Sequence, residues 1–202
     1  IGPNGSGKST VVNLISGVLQ PTAGRMALCG RNITGLSPHR IFQMGLSRTF
    51  QNTRLFRELT VLQNMMFGAW AHRLGADAAQ RQLKKMGLDH LRHHQAGHLS
   101  YGDQKLLELG MCLIGTPSIV LLDEPLAGVH SSTVERIREI ILQENRENGT
   151  TFVIVEHNVP FIMKTCERIL VFNQGLLLSQ GTPDQVRTDK SVISAYLGSE
   201  RF

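Results

Sequence analysis

Eight residues at the start, Gly2-Pro3-Asn4-Gly5-Ser6-Gly7-Lys8-Ser9, constrain this chain more than any other feature. They fit G-x-x-x-x-G-K-[ST] without a mismatch. Glycines let such a loop take positive φ and bring its amide N–H groups close to phosphate oxygens. Lys8 offers a cation to the terminal phosphates of a nucleotide, and the Ser9 hydroxyl is an oxygen ligand for Mg²⁺. Val11, Val12, Leu14, Ile15, Val18 and Leu19 recur at helical spacing. The pattern predicts a helix from about Lys8, its positive end at the phosphates, stopping before Pro21. The loop follows a buried strand by rule, and only Ile1 precedes it here. The expectation is that this strand lies upstream of residue 1, and that residues 1–202 alone lack what they need for stable folding.

At 202 residues the chain suffices for one α/β domain with a sizeable core. No apolar run approaches the roughly 18 residues of a spanning helix. Work at a membrane would therefore depend on a partner as anchor. Cys29, Cys112 and Cys166 stand far apart with no C-x-x-C pair, which points to reduced thiols in a cytosolic setting. Up to Arg57 there are seven basic residues and no acid. Such a stretch suits anionic ligands or a phospholipid surface, or is balanced by carboxylates outside the chain.

Downstream, short strands (Arg25–Cys29, Leu46–Phe50) flank a helix with Ser37 at its N-cap and Pro38 at its first position. Thr60-Val61-Leu62-Gln63 reads as a capping box opening a mostly helical stretch to about Met86, and another helix spans about Gly102–Ile114. Then β and α alternate: strand Ser118–Leu122, helix Ser131–Glu147, strand Thr151–Val155, helix Val159–Cys166. A final antiparallel pair, Arg168–Phe172 and Leu176–Ser179, turns at Asn173-Gln174-Gly175. Alternation of this kind implies a mainly parallel sheet.

The apolar strand Ile119-Val120-Leu121-Leu122 ends in Asp123-Glu124. Beside a phosphate loop, an acid in that place holds Mg²⁺ through a coordinated water, while the next, left as a free base, polarises the attacking water.

Leu99-Ser100-Tyr101-Gly102-Asp103-Gln104 resembles the ABC ATPase signature L-S-G-G-Q, and Gln104 stands 19 positions before Asp123, the arrangement of that family. Gln51 matches the family's Q-loop glutamine and His157 its switch histidine. The resemblance covers most of the chain. It implies a P-loop ATPase core of α/β class (residues 1–51 and 115–202), with a mostly parallel sheet, a small antiparallel β part, and an inserted helical subdomain (52–114). It also implies ATP and Mg²⁺ as cofactors. Gly2, Pro3, Asn4, Gly5, Ser6, Gly7, Lys8, Ser9 and Thr10 would bind ATP from one side, and Ser100 and Gly102 of a second subunit from the other. Ser9, Gln51 and Asp123 would hold the metal, and Glu124, His157 and Gln51 would serve catalysis. The implied partners are a second ATPase subunit in a head-to-tail homo- or heterodimer, transmembrane permease subunits and, indirectly, a periplasmic binding protein, with no nucleic acid. The implied place is the cytoplasmic face of the plasma membrane. The side chain that stacks on adenine is expected upstream of residue 1.

Gly45-Leu46-Ser47-Arg48-Thr49-Phe50-Gln51-Asn52, Val155-Glu156-His157-Asn158, Ser100-Tyr101-Gly102, Gly181-Thr182-Pro183 and Ala195-Tyr196-Leu197-Gly198 are similar to the ATP-binding subunits of branched-chain amino acid importers. Urea and lipopolysaccharide-export ATPases share part of this wording. Two positions depart from the family: Asp103 puts an acid near the partner's triphosphate, and His130 stands where the family has Asp or Asn. A soluble ATPase of the same class in DNA repair or translation would carry a coiled-coil insertion or a second ATPase unit. A binding module with a dead site is opposed by Lys8, Asp123, Glu124 and His157. His90, His93, His94 and His98 could ligate Zn²⁺ if the first three shared a helix face, or be a His-rich exposed segment.

Overall fold

A computed structural model describes residues 1–49 and 54–198, the side chains of 196–198 excepted. In chain order the elements are α1 (Lys8–Ile15), β1 (Ala27–Leu28), β2 (Arg31–Asn32), α2 (Pro38–Gln43), β3 (Leu46–Arg48), α3 (Val61–Ala71), α4 (Ala76–Met86), α5 (Tyr101–Leu113), β4 (Ile119–Asp123), α6 (Ser131–Asn148), β5 (Thr151–Val155), α7 (Val159–Thr165), β6 (Ile169–Asn173), β7 (Leu176–Gly181), α8 (Pro183–Thr188) and α9 (Lys190–Gly198). The chain divides into two compact units: Ile1–Met44 with Ile154–Phe202, and Gly45–Val153.

In the first unit, β6 and β7 pair antiparallel with a register shift between Val171 and Phe172. Their turn uses Gln174 (φ 49°) and Gly175 (φ 80°), and two successive positive φ angles suit the twist of a tight hairpin. The segment before the phosphate loop runs beside β6: the Phe172 amide donates to Ile1 O at 2.9 Å, and the Gly175 amide to Ser6 O at 3.1 Å. A Cβ on Gly2 would overlap the Phe172 carbonyl oxygen, so only glycine permits this approach. β1 and β2 form a second, two-residue antiparallel pair.

The second unit holds the parallel pair β3–β4, Leu46 opposite Ile119, Ser47 opposite Val120 and Arg48 opposite Leu121. β5 follows β4 in the strand order. Val120, Leu121 and Leu122 are fully buried, as expected of a strand covered on both faces. In the same unit α3, α4 and α5 pack on one another through Val61, Met65 and Ala69 of α3, Leu83 and Met86 of α4, and Leu107 and Leu113 of α5, all buried, and α5 also packs on β3. The Thr60 capping box forms as the sequence implies: the Gln63 amide donates to Thr60 Oγ1 at 3.1 Å, and the Thr60 amide to Gln63 Oε1 at 2.8 Å.

Two expectations are corrected. α1 ends at Ile15, not near Leu19, and Val18 and Leu19 are 54% and 44% exposed. Gly17 takes φ 73° and lies so close to Leu36 O that a Cβ would meet it at 2.7 Å, which turns the chain out of the helix. The helix face for His90, His93 and His94 does not form either. A 3₁₀ turn, Asp89–Leu91, stands there, fastened by Arg92 Nη1 donating to both Asp89 oxygens at 3.3–3.4 Å. Among the described residues no group of three His, Cys, Asp or Glu side chains could hold a metal ion.

Candidate active site

The glycine-rich loop closes on its own lysine. Lys8 Nζ donates to Gly2 O at 2.8 Å, to Pro3 O at 2.9 Å and to Ser6 Oγ at 3.4 Å. Gly5 (φ 75°) and Gly7 (φ 98°) supply the left-handed turns that wrap backbone around the ammonium. α1 starts at Lys8 with no side-chain cap and no acid in its first turn, so its positive end faces the loop uncompensated by charge. Ser9 and Thr10 are exposed at that end, beside the more open Asn4 and Gly5. Neutral carbonyls hold this buried cation, and a phosphate would make stronger, charge-assisted bonds to it.

His157 belongs to the same unit and is exposed, two residues past the end of β5. Its backbone amide donates to Oε2 of the buried Glu156 at 2.9 Å.

In the second unit, β4 delivers Asp123 and Glu124 at its C-terminal end. Asp123 is 6% exposed, and its Oδ2 lies 3.1 Å from Arg48 Nη2. Glu124 sits at φ 49°, a costly conformation for a non-glycine residue and one that occurs at functional turns. Ser100 is the N-cap of α5; its Oγ accepts from the Asp103 amide at 3.2 Å and donates to Asp103 Oδ2 at 2.6 Å. Asp103 thus points back at the signature serine, one of the two departures from the family pattern. His130, the other, occupies the N-cap position of α6, its Nδ1 3.2 Å from Ser132 Oγ. Gly102 packs on Thr133, where a Cβ would come within 2.7 Å of Oγ1, and Gly128 lies against the Tyr101 ring. The start of α5 therefore rests on Gly128 of the loop after Glu124 and on the first turn of α6. Gln51 lies outside the described residues.

Each unit thus gathers part of the expected set: Gly2–Thr10 and His157 in the first, Ser100, Gly102, Asp123 and Glu124 in the second. Sequence reasoning passed over Arg48 and Glu156, both within quoted motifs. A charged residue next to a buried strand end was the available signal.

The donors suit Mg²⁺ in kind: a serine hydroxyl and a carboxylate are hard oxygen ligands.

A family model described as ABC transporter matches residues 1–127, and one described as branched-chain amino acid ATP-binding cassette transporter matches residues 177–201. The high-affinity branched-chain amino acid transport ATP-binding protein LivG of Escherichia coli (strain K12) is 37% identical, over 98% of this chain and 85% of its own. The ADP conformation of MJ1267, an ATP-binding cassette of an ABC transporter, superposes with a TM-score of 0.86 at 30% identity, over 98% of this chain and 86% of that one. A dimeric, post-hydrolysis state of the cassette MJ0796, bound to ADP and Pi, gives 0.79 at 27% identity, over 90% and 83%.

Proposed function

The chain belongs to the ABC transporter family as an ATP-binding and ATP-hydrolysing subunit, and from that premise we propose which of its groups do the chemistry and what the transporter carries. Lys8 leaves the carbonyls of Gly2 and Pro3 and takes the β- and γ-phosphates, while the amides of Gly5–Ser9 and the N-terminus of α1 hold the remaining oxygens. Ser9, Asp123 and Gln51 would hold Mg²⁺, which would supply neutralising charge at the phosphates. Glu124 orients a water in line with the γ-phosphate and accepts its proton as the P–O bond to ADP breaks, giving ADP and inorganic phosphate. His157 donates a hydrogen bond to the γ-phosphate. Ser100 and Gly102 of a second copy close the far side, so that two head-to-tail subunits share each nucleotide.

The cargo is branched-chain amino acids. The relatives' names and the 177–201 match support this. The subunit acts on the cytoplasmic membrane face beneath permease subunits, which a periplasmic binding protein supplies. No helix among the described residues is long and apolar enough to cross a membrane, in keeping with a role beneath permeases.

The observation that carries the chemistry is the Lys8 ammonium turned into the loop within 3 Å of two carbonyls. The test is phosphate release by the transporter reassembled in liposomes, with binding protein loaded with leucine, isoleucine, valine or urea. Stimulation by the three amino acids and none by urea is expected. The reverse order would overturn the cargo, and unchanged hydrolysis with Lys8→Met would overturn the site.

A further inference from the structure

The three residues between β5 and α7 divide their work in a way that the reaction above does not use. Where the β5 ladder stops at Val155, the next amides turn away from the sheet and need acceptors. Glu156 supplies one from its own side chain: its single oxygen Oε2 accepts from the His157 amide at 2.9 Å and from the Asn158 amide at 3.2 Å. The residue is 5% exposed, a place where a carboxylate persists only if it is well hydrogen-bonded. On the far side, Asn158 Oδ1 accepts from the Phe161 amide at 3.0 Å and starts α7, with Pro160 fixing φ in its first turn. His157 lies between these fastenings and is exposed.

We propose that Glu156 is the positioning residue for His157. One carboxylate oxygen fixes the backbone on both sides of the histidine Cα, and so sets the direction in which the imidazole leaves the sheet. Glu156 does not touch nucleotide in this scheme; it acts through the two amides. The inference rests on the reading of His157 as the γ-phosphate donor and adds the group that aims it. Both bonds end on one oxygen, so an acceptor at that point is what the two amides need. The carbonyl oxygen of glutamine can accept both amides as the carboxylate does. Alanine leaves the two amides to find other partners, and the turn is free to reorient.

The test is steady-state ATP hydrolysis by the full subunit assembled with its permease, comparing Glu156→Gln, Glu156→Ala, His157→Ala and the double variant Glu156→Ala/His157→Ala. A misplaced catalytic group costs on the order of 10- to 100-fold, and that loss is expected in kcat for Glu156→Ala with KM for ATP within about twofold. Glu156→Gln should retain kcat within about threefold. In the His157→Ala background, Glu156→Ala should change kcat by less than about twofold, because the group it aims is gone. A purely stabilising role would lower the melting temperature but show equal kcat losses with and without the histidine, and that equality would overturn the proposal. Wild-type kcat for Glu156→Ala, with His157→Ala impaired, would overturn it while leaving the role of His157 standing. Wild-type kcat for His157→Ala would remove both. If Glu156→Ala does not fold, Glu156→Met, which keeps the side-chain length but offers the two amides no strong acceptor, carries the same expectations.

Discussion

Arg48 Nη2 lies 3.1 Å from Asp123 Oδ2, with the two side chains 11% and 8% exposed. The pair follows from register. Arg48 sits opposite Leu121 on the parallel strands, so Asp123, two residues on, projects from the same face one step along the diagonal. Breaking a buried pair by removing one partner costs about 3–5 kcal/mol, because the remaining charge is left in a poor solvent. Arg48→Met should therefore lower the unfolding free energy by about that amount, read from the urea midpoint at constant m. Arg48→Met/Asp123→Asn should regain part of it. Strictly additive costs would show that the two charges do not depend on each other.

Lys8 holds the glycine-rich loop together, and the proposed function also gives it the phosphates of the nucleotide. Lys8→Met should reduce kcat/KM for ATP by about 100-fold or more, since a preorganised cation at the phosphates is lost. It should also remove bonds to Gly2 O and Pro3 O and cost stability of about 1–2 kcal/mol. Calorimetric titration with ATP and thermal melting of the nucleotide-free protein separate the two effects. A loss of affinity without any change in melting would mean that the carbonyl contacts contribute nothing.

Glu124 is held at φ 49° at the end of β4, next to Asp123. Replacing a general base costs about 10²- to 10⁴-fold in rate, so Glu124→Gln should retain ATP binding while turnover falls by that factor. ATP should then accumulate in the proposed two-subunit complex, seen as a shift in size-exclusion elution. Wild-type phosphate release by this variant would remove Glu124 from the chemistry.

How far these features could be read in advance depends on the range of the interactions that make them. The Thr60 box, the Asp123-Glu124 strand end and the Gln174-Gly175 turn each depend on residues within four positions, and the chain forms all three where local rules put them. The Arg48–Asp123 pair joins residues 75 positions apart, and only strand register brings it about. Val18 and Leu19 keep helical spacing, yet the close approach of Gly17 to Leu36 O ends the helix first. The histidines after Asp89 also had helical spacing, but the Arg92–Asp89 pair holds a tighter turn. Glu156 was within reach of sequence reasoning as an acid just past an apolar strand, but its use by two backbone amides becomes visible only once the turn is drawn.

Gly115 faces the ring of His72, and any Cβ there would overlap the imidazole. Gly115→Ala should displace the ring and cost about 1–3 kcal/mol, as overpacking does. The same burial disfavours the charged ring and lowers the His72 pKa from its ordinary value of 6.5. Above pH 6.5 the ring is neutral in both folded and unfolded chains and adds no pH dependence. As the pH falls through 6.5 the unfolded chain takes up a proton that the folded one does not, so stability falls with pH until the folded ring also titrates. His72→Gln should flatten this part of the curve relative to wild type, measured as urea midpoints from pH 7.5 down to 5. An unchanged slope would place the loss of stability on other groups. If the slope does flatten, Gly115→Ala, by pushing the ring toward water, should bring its pKa back up and flatten the same segment.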